Sequence, residues 1–281
     1  MSADPSYLEF PATSAPRLRE ALRERRRARP LPPEIIREDY FGHARLRGRV
    51  VLVAGTGDYI CRAIVAHCAR EGAKVVLVYS DDAAAALECE RLVRAERGDC
   101  LLIRNALADA DACHNVVNQA VGYFGHLDVL VNCAGDLRSG TPATGVSLMH
   151  SDASRRLSLA ALPRLATDGA IINTVPLPES EAGDDVFASG ATSEIRAFTT
   201  SLAQQAAERG VRVNAIVCGS PASAAATFRA TGSRPRTLLK RAAQPADVGP
   251  ACVFLASADA SFITGQTLHV DGGERAGMLE G

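Results

Sequence analysis

Apolar residues along this chain follow two alternating rhythms. From Arg49 onward, short aliphatic and β-branched runs occur at Val50–Val53, Val75–Tyr79, Leu101–Arg104, Leu127–Asn132, Ala170–Thr174, Val211–Val217 and Thr267–Val270. Runs this short and this apolar predict strands buried on both faces. Between them, apolar positions fall at helical spacing. Ile64, Cys68 and Ala69 share one helix face, as do Val116, Val117, Ala120, Val121 and Phe124, and again Ile195, Phe198, Leu202 and Ala206. Strand and helix in strict alternation predict right-handed βαβ units, that is, a doubly wound α/β domain around a parallel sheet of about seven strands. Ligands in such sheets lie at the carboxyl ends of the strands.

The first 47 residues break the rhythm. They carry several prolines, no long apolar run and an arginine-rich patch: Arg17, Arg19, Arg23, Arg25, Arg26, Arg27 and Arg29. A short basic helix is expected over about Arg17–Arg27, with Leu18 and Leu22 on one side, and Pro30, Pro32 and Pro33 then enforce extended chain. The expected division is an N-terminal arm, 1–47, and a single α/β body, 48–281. The arm holds 10 basic against 7 acidic residues, a net +3, and the remainder holds 21 against 25, a net −4. The whole chain of 281 residues is nearly balanced, at −1, which argues against a nucleic-acid-coating protein. The patch also lacks interleaved aromatics, so a basic arm on an acidic partner subunit is expected, and no nucleic acid.

No apolar run reaches a membrane span, and the start is not a basic-then-apolar signal peptide, so no membrane contact and a cytoplasmic location are expected. The eight cysteines form no C-x-x-C, and no histidine stands beside them at metal spacing. They read as small apolar fillers, with no disulfide framework and no metal site.

The first strand runs into Ala54-Gly55-Thr56-Gly57-Asp58-Tyr59-Ile60-Cys61, a glycine-bearing turn ahead of a helix. Further motifs follow: Asp128-Val-Leu-Val-Asn132-Cys-Ala134-Gly135, Ala160-Ala-Leu-Pro163, Gly169-Ala-Ile-Ile-Asn-Thr174, Ser201–Ile216, Phe254-Leu-Ala-Ser257 and Ile263–Gly273. With these motifs, residues 35 to 273 resemble the short-chain dehydrogenase/reductase family. The entry Asp39-Tyr-Phe-Gly42 with Leu46-Arg-Gly48 looks like the subgroup with an extended N-terminal arm. The resemblance implies a Rossmann-type sheet, an NAD(P) cofactor and an oligomer. It places cofactor contacts at Gly55, Ile60, Asn132, Ala134 and Gly135.

The departures from that pattern are as informative as the match. The family's second and third turn glycines fall here on Tyr59 and Cys61. Tyrosine adds bulk where backbone should approach the phosphates, and the third glycine normally allows tight helix-on-strand packing. The aspartate that follows the third strand in the family appears as Ala106. The resemblance also implies an Asn-Ser-Tyr-Lys tetrad, in which the tyrosine donates the proton that hydride transfer to a carbonyl requires. Those positions read His150, Val175 or Pro176, Ala188 and Thr192. Residues 170–210 contain neither tyrosine nor lysine, whatever the alignment. The segments Gly135–Pro163 and Gly219–Gln244 are also short for the subgroup.

Three functions follow as expectations. The first is a non-catalytic subunit with NAD(P) binding weakened or lost, in a homo-oligomer or in a hetero-oligomer with an active relative. The second is a repurposed non-redox catalyst of the cyclase, isomerase or lyase type. Its polar set would be His150, Asp136 and Cys218, near Arg138, Thr174, Glu179, Glu181, Asp184, Asp185, Ser189 and Thr192. The third is an NAD(P)H-dependent oxidoreductase with an atypical proton donor.

Overall fold

In the computed structural model, the described residues are 34–55, 58–133, 143–176, 185–219 and 237–274, with side chains of 143–151, 176 and 185–192 not described. The expected basic helix over Arg17–Arg27 lies outside them. Seven strands form one parallel sheet: β1 Val50–Ala54, β2 Lys74–Tyr79, β3 Cys100–Arg104, β4 Val129–Cys133, β5 Ala170–Pro176, β6 Arg212–Cys218 and β7 Thr267–Val270. Their order is β3-β2-β1-β4-β5-β6-β7. Among the described residues, six α-helices connect them: α1 Tyr59–Arg70, α2 Ala83–Ala95, α3 Ala110–Phe124, α4 Ala143–Ala161, α5 Asp185–Ala206 and α6 Pro245–Ala256. The expected doubly wound α/β sheet of seven strands is therefore present.

Every residue of β1, β4 and β6 is buried, because helices cover both faces. On one face α1, α2 and α6 pack on Val51, Val53, Val129, Val131 and Ile172. On the other, α3, α4 and α5 pack on Val50, Leu52, Leu130, Ile171 and Val213. Strand periodicity splits alternate residues between these two cores. All eight cysteines are free, and seven of them belong to the α1/α2/α6 face, where only Cys100 is partly exposed. They fill core volume as the sequence suggests. No described helix is long and apolar enough to cross a membrane.

Residues 34–48 join this body through Glu71, the residue that ends α1. Its side chain is fully buried. It accepts from Tyr40 Oη at 2.6 Å, from Arg45 Nη2 at 2.6 Å and Nε at 3.1 Å, and from the backbone N–H groups of His43 and Arg45 at 2.9 and 3.0 Å. Burial pushes the carboxyl pKa up, but the hydrogen bonds from Arg45 and Tyr40 outweigh it and hold the group down at about 2. The edge of the Tyr40 ring lies 4.6 Å, centroid to centroid, from the His67 imidazole. His67 Nδ1 donates to the Ala63 carbonyl at 2.7 Å, while its buried Nε2 has no partner. Burial lowers its pKa from the ordinary 6.5. Across the helix pair, Gly249 of α6 leaves room for that ring; a β-carbon there would overlap it.

At the amino edge of the sheet, Asp128 Oδ2 accepts from Val50 N at 2.7 Å and sets the start of β1 beside β4. Arg212, at the start of β6, donates to the Leu255 and Ser257 carbonyls at 2.7 and 3.1 Å, satisfying acceptors that the end of α6 leaves free.

Two outcomes are expected. Gly249→Ala should destabilise the fold by about 1–3 kcal/mol through overpacking against His67, read as a lower urea midpoint at unchanged slope. Glu71→Gln should cost about 3 kcal/mol at pH 7, because Arg45 and Tyr40 lose a buried anionic partner. The wild type should lose stability as pH falls, since the folded state holds both groups below their ordinary pKa values. His67 contributes below 6.5, and Glu71 contributes from 4.5 down towards 2. Urea titrations from pH 8 to 3 measure this, and the Glu71→Gln variant should lack the lower limb.

Candidate functional site

The sheet reverses its winding between β1 and β4, so their carboxyl ends frame the cleft where ligands bind in this architecture. Ala54 pairs with Asn132, and Asn132 with Asn173, in the strand register. Gly55 closes β1, and there a β-carbon would lie 3.0 Å from Cys133 Cβ and 3.2 Å from Cys61 Sγ. Glycine is therefore required by close packing against β4 and α1.

Of the expected cofactor contacts, Ile60 turns into the core. Asn132 is buried and donates from Nδ2 to Ser158 Oγ of α4 at 2.9 Å and to Asn173 Oδ1 of β5 at 2.8 Å; Asn173 donates on to Thr199 Oγ1 of α5 at 3.1 Å. Asn132 thus has an architectural role, tying α4 and α5 to the sheet, and its Oδ1 is buried without a partner. Ala134, Gly135, Asp136, Arg138, Glu179, Glu181 and Asp184 lie outside the described residues. Ala106 is exposed in a loop where Asn105 Oδ1 accepts from Leu107 N at 2.7 Å.

The tetrad positions lie on α4, β5 and α5, and His150 falls well inside its helix, not at a helix start. His150 lies on α4, Pro176 ends β5 in register with Cys218 of β6, and Ala188 and Thr192 belong to the first two turns of α5, as do Asp185 and Ser189. Thr174 is buried, and its hydroxyl donates to the Asn132 carbonyl at 3.4 Å. Cys218 is fully buried; burial first and the Asp58 charge second push its thiol up to about 12. At neutral pH it is protonated, which is the opposite of an activated nucleophile. Among the described residues, no group of three or more His, Cys, Asp or Glu could hold a metal. A shallow groove lined by Ser193, Arg196, Thr200 and Gln204 runs along the exposed face of α5, on the outside of the helix layer.

The residue that sequence reasoning passes over is Asp58. It is the N-cap of α1, and its Oδ1 accepts from Cys61 N at 2.7 Å. The signal was available: an Asp three residues ahead of a first-turn amide is a capping pattern. Asp82 caps α2 through Ala85 N, and Asp109 caps α3 through Ala112 N, both at 2.8 Å. Three successive helix N-termini at this edge therefore carry their own carboxylates. Tyr59 is 37% exposed, with the Arg62 guanidinium 5.4 Å from its ring centroid. Cys61 is fully buried beneath Gly55.

A dinucleotide pyrophosphate is held by free amides and positive potential at the first helix N-terminus. Here a carboxylate already takes one of those amides and supplies negative charge. The described residues at this helix start do not fit that group.

Residues 55–274 match the family described as enoyl-(acyl carrier protein) reductase. Among curated proteins, the chain is 34% identical over 251 residues to the uncharacterized oxidoreductase YhdF of Bacillus subtilis, covering 84% of this chain and 86% of the relative. It is also 34% identical over 273 residues to a glucose and ribitol dehydrogenase homolog of Oryza sativa, covering 86% and 90%. Among solved structures, a short chain dehydrogenase from Burkholderia cenocepacia in complex with NADP superposes with a TM-score of 0.70 at 28% identity, covering 82% of this chain and 99% of that one. A family match across the motif-bearing body, relatives of this identity and the superposition on solved structures agree: the chain belongs to the short-chain dehydrogenase/reductase family.

Proposed function

We propose that this chain is an oxidoreductase-family protein that has given up hydride transfer and serves as a non-catalytic subunit in an oligomer with an active relative. One observation carries the reading. The stretch from β5 through α5, where the family keeps its serine, tyrosine and lysine, contains no tyrosine and no lysine between residues 170 and 210. Without a phenol whose pKa a lysine depresses, nothing there supplies the proton for carbonyl reduction near neutral pH. The carboxylate cap on α1 supports the same reading, because it works against a bound dinucleotide.

The surface supports the subunit role. β7 is an edge strand, with Leu268 exposed on it. Phe262, fully exposed, precedes the strand, and exposed Leu238 and Leu239 lie against the Gly272–Gly273 turn that follows it. An unpaired edge flanked by large apolar side chains is the kind of surface that proteins cover with a partner.

The names of the relatives favour a second reading, in which this chain too is an NAD(P)H-dependent oxidoreductase with an atypical donor. The discriminating experiment has two parts. Purified full-length chain, given NADPH or NADH with glucose, ribitol and a panel of aldehydes, should show cofactor turnover at the no-enzyme rate. Native mass spectrometry of the protein isolated from its source should show an unlike subunit of the same family. Turnover above background, or only identical chains or monomers, would overturn the proposal.

A further inference from the structure

We infer that Asp58, through its charge, is the element that excludes a dinucleotide from this cleft, and that the bulkier departures at Tyr59 and Cys61 are not. The inference rests on the non-catalytic reading and names the residue responsible within that same site.

Three described positions of the turn bear on phosphate binding, two of them departures from the family's glycines, and the structure treats them differently. Cys61 stands where the family has its third glycine. Its side chain is fully buried, and α1 continues regularly through it to Arg70. The helix-to-strand spacing has absorbed the sulfur, so this change leaves the first-turn amides where they were. Tyr59 stands where the family has its second glycine. Its ring is partly exposed and carries the Arg62 guanidinium at 5.4 Å, one turn along the same helix. That arrangement holds the ring against the first turns of its own helix.

Asp58 alone acts directly against an anion. Its carboxylate accepts the Cys61 N–H at 2.7 Å, occupying one of the donors a phosphate would use. Its negative charge also opposes the partial positive charge of the helix end. Its influence extends along the floor of the cleft to Cys218, where it adds to the effect of burial on the thiol. Asp82 and Asp109 repeat the arrangement on the next two helices. Asp82 and Asp109 open the helices that follow β2 and β3, one and two strands away from β1 in the sheet. Of the three caps, only Asp58 sits on the helix that follows the glycine turn.

The test compares Asp58→Asn, Asp58→Ser and Tyr59→Gly with the wild type by calorimetric titration of NADPH, NADH and inorganic pyrophosphate, with thermal melts to confirm folding. Both Asp58 variants keep a capping side chain, so the helix start is preserved. The wild type should not saturate at millimolar ligand. Asp58→Asn and Asp58→Ser should each bind pyrophosphate and NADPH at least about tenfold more tightly than the wild type, and Tyr59→Gly should change little. If Tyr59→Gly restores binding, or if neither folded Asp58 variant gains affinity, the assignment to Asp58 fails while the non-catalytic reading stands. Micromolar NADPH binding by the wild type would overturn both.

Discussion

The amide of Asn132 is the joint on which the carboxyl half of this fold depends. From the end of β4 it donates to Ser158 on α4 and to Asn173 on β5, and Asn173 continues the chain to Thr199 on α5. Four elements are fixed by three buried hydrogen bonds, all where water cannot substitute for a lost partner. Such a network tolerates little change, because truncating any member leaves the others buried and unsatisfied. Asn132 also belongs to a motif that the family uses near its cofactor. Its persistence here is explained by the architecture alone and says nothing about whether a dinucleotide binds.

The same distinction between scaffold and chemistry runs through the rest of the cleft. Gly55 is held by contact with Cys133 and Cys61, whatever lies above it. Ile60 is a core residue. Thr174 and Cys218 are buried beneath the cleft floor. What the described strands present at their carboxyl ends is mostly packing, and what the first three helices present is carboxylate. Asp caps are good local solutions, since each satisfies a first-turn donor and complements the helix dipole. They stabilise helices whose N-termini need no external anion. A helix start that must receive phosphate cannot use this solution at no cost to binding.

The sheet was legible in the sequence because parallel strands buried on both faces must be continuously apolar, and all seven runs from Val50–Val53 to Thr267–Val270 became strands. The helix faces were legible for the matching reason. Val116, Val117, Ala120, Leu202 and Ala206, chosen by spacing, are buried. The Glu71 network was not legible, because its meaning lies in Tyr40 and Arg45, 31 and 26 residues away in sequence, and a lone glutamate at a helix end looks like surface. His67 was hidden similarly: only the missing β-carbon of Gly249, far along the chain, makes room for it. In the cleft, comparison with a family pattern drew attention to the lost glycines. Asp58 occupies a position that pattern leaves free, so its capping carboxylate carried no mark.

Loss of hydride chemistry and retention of the fold are physically compatible because the two draw on different residues. The stability of this body comes from two aliphatic cores, the Asn132 network, the Glu71 hub and the amino-edge contacts of Asp128 and Arg212. None of these needs a tyrosine–lysine pair on α5 or a bare amide at the start of α1. Active sites generally hold groups in arrangements that are unfavourable for the fold, such as uncapped helix ends and unneutralised charges. Filling the α1 terminus with Asp58 relieves one such arrangement. Once selection for hydride transfer lapses, substitutions at exactly those strained positions become neutral or stabilising, while the joints that hold the sheet remain constrained. The proposed loss of hydride transfer fits that asymmetry, since Tyr59, Cys61 and the absence of tyrosine and lysine from residues 170–210 leave those joints intact.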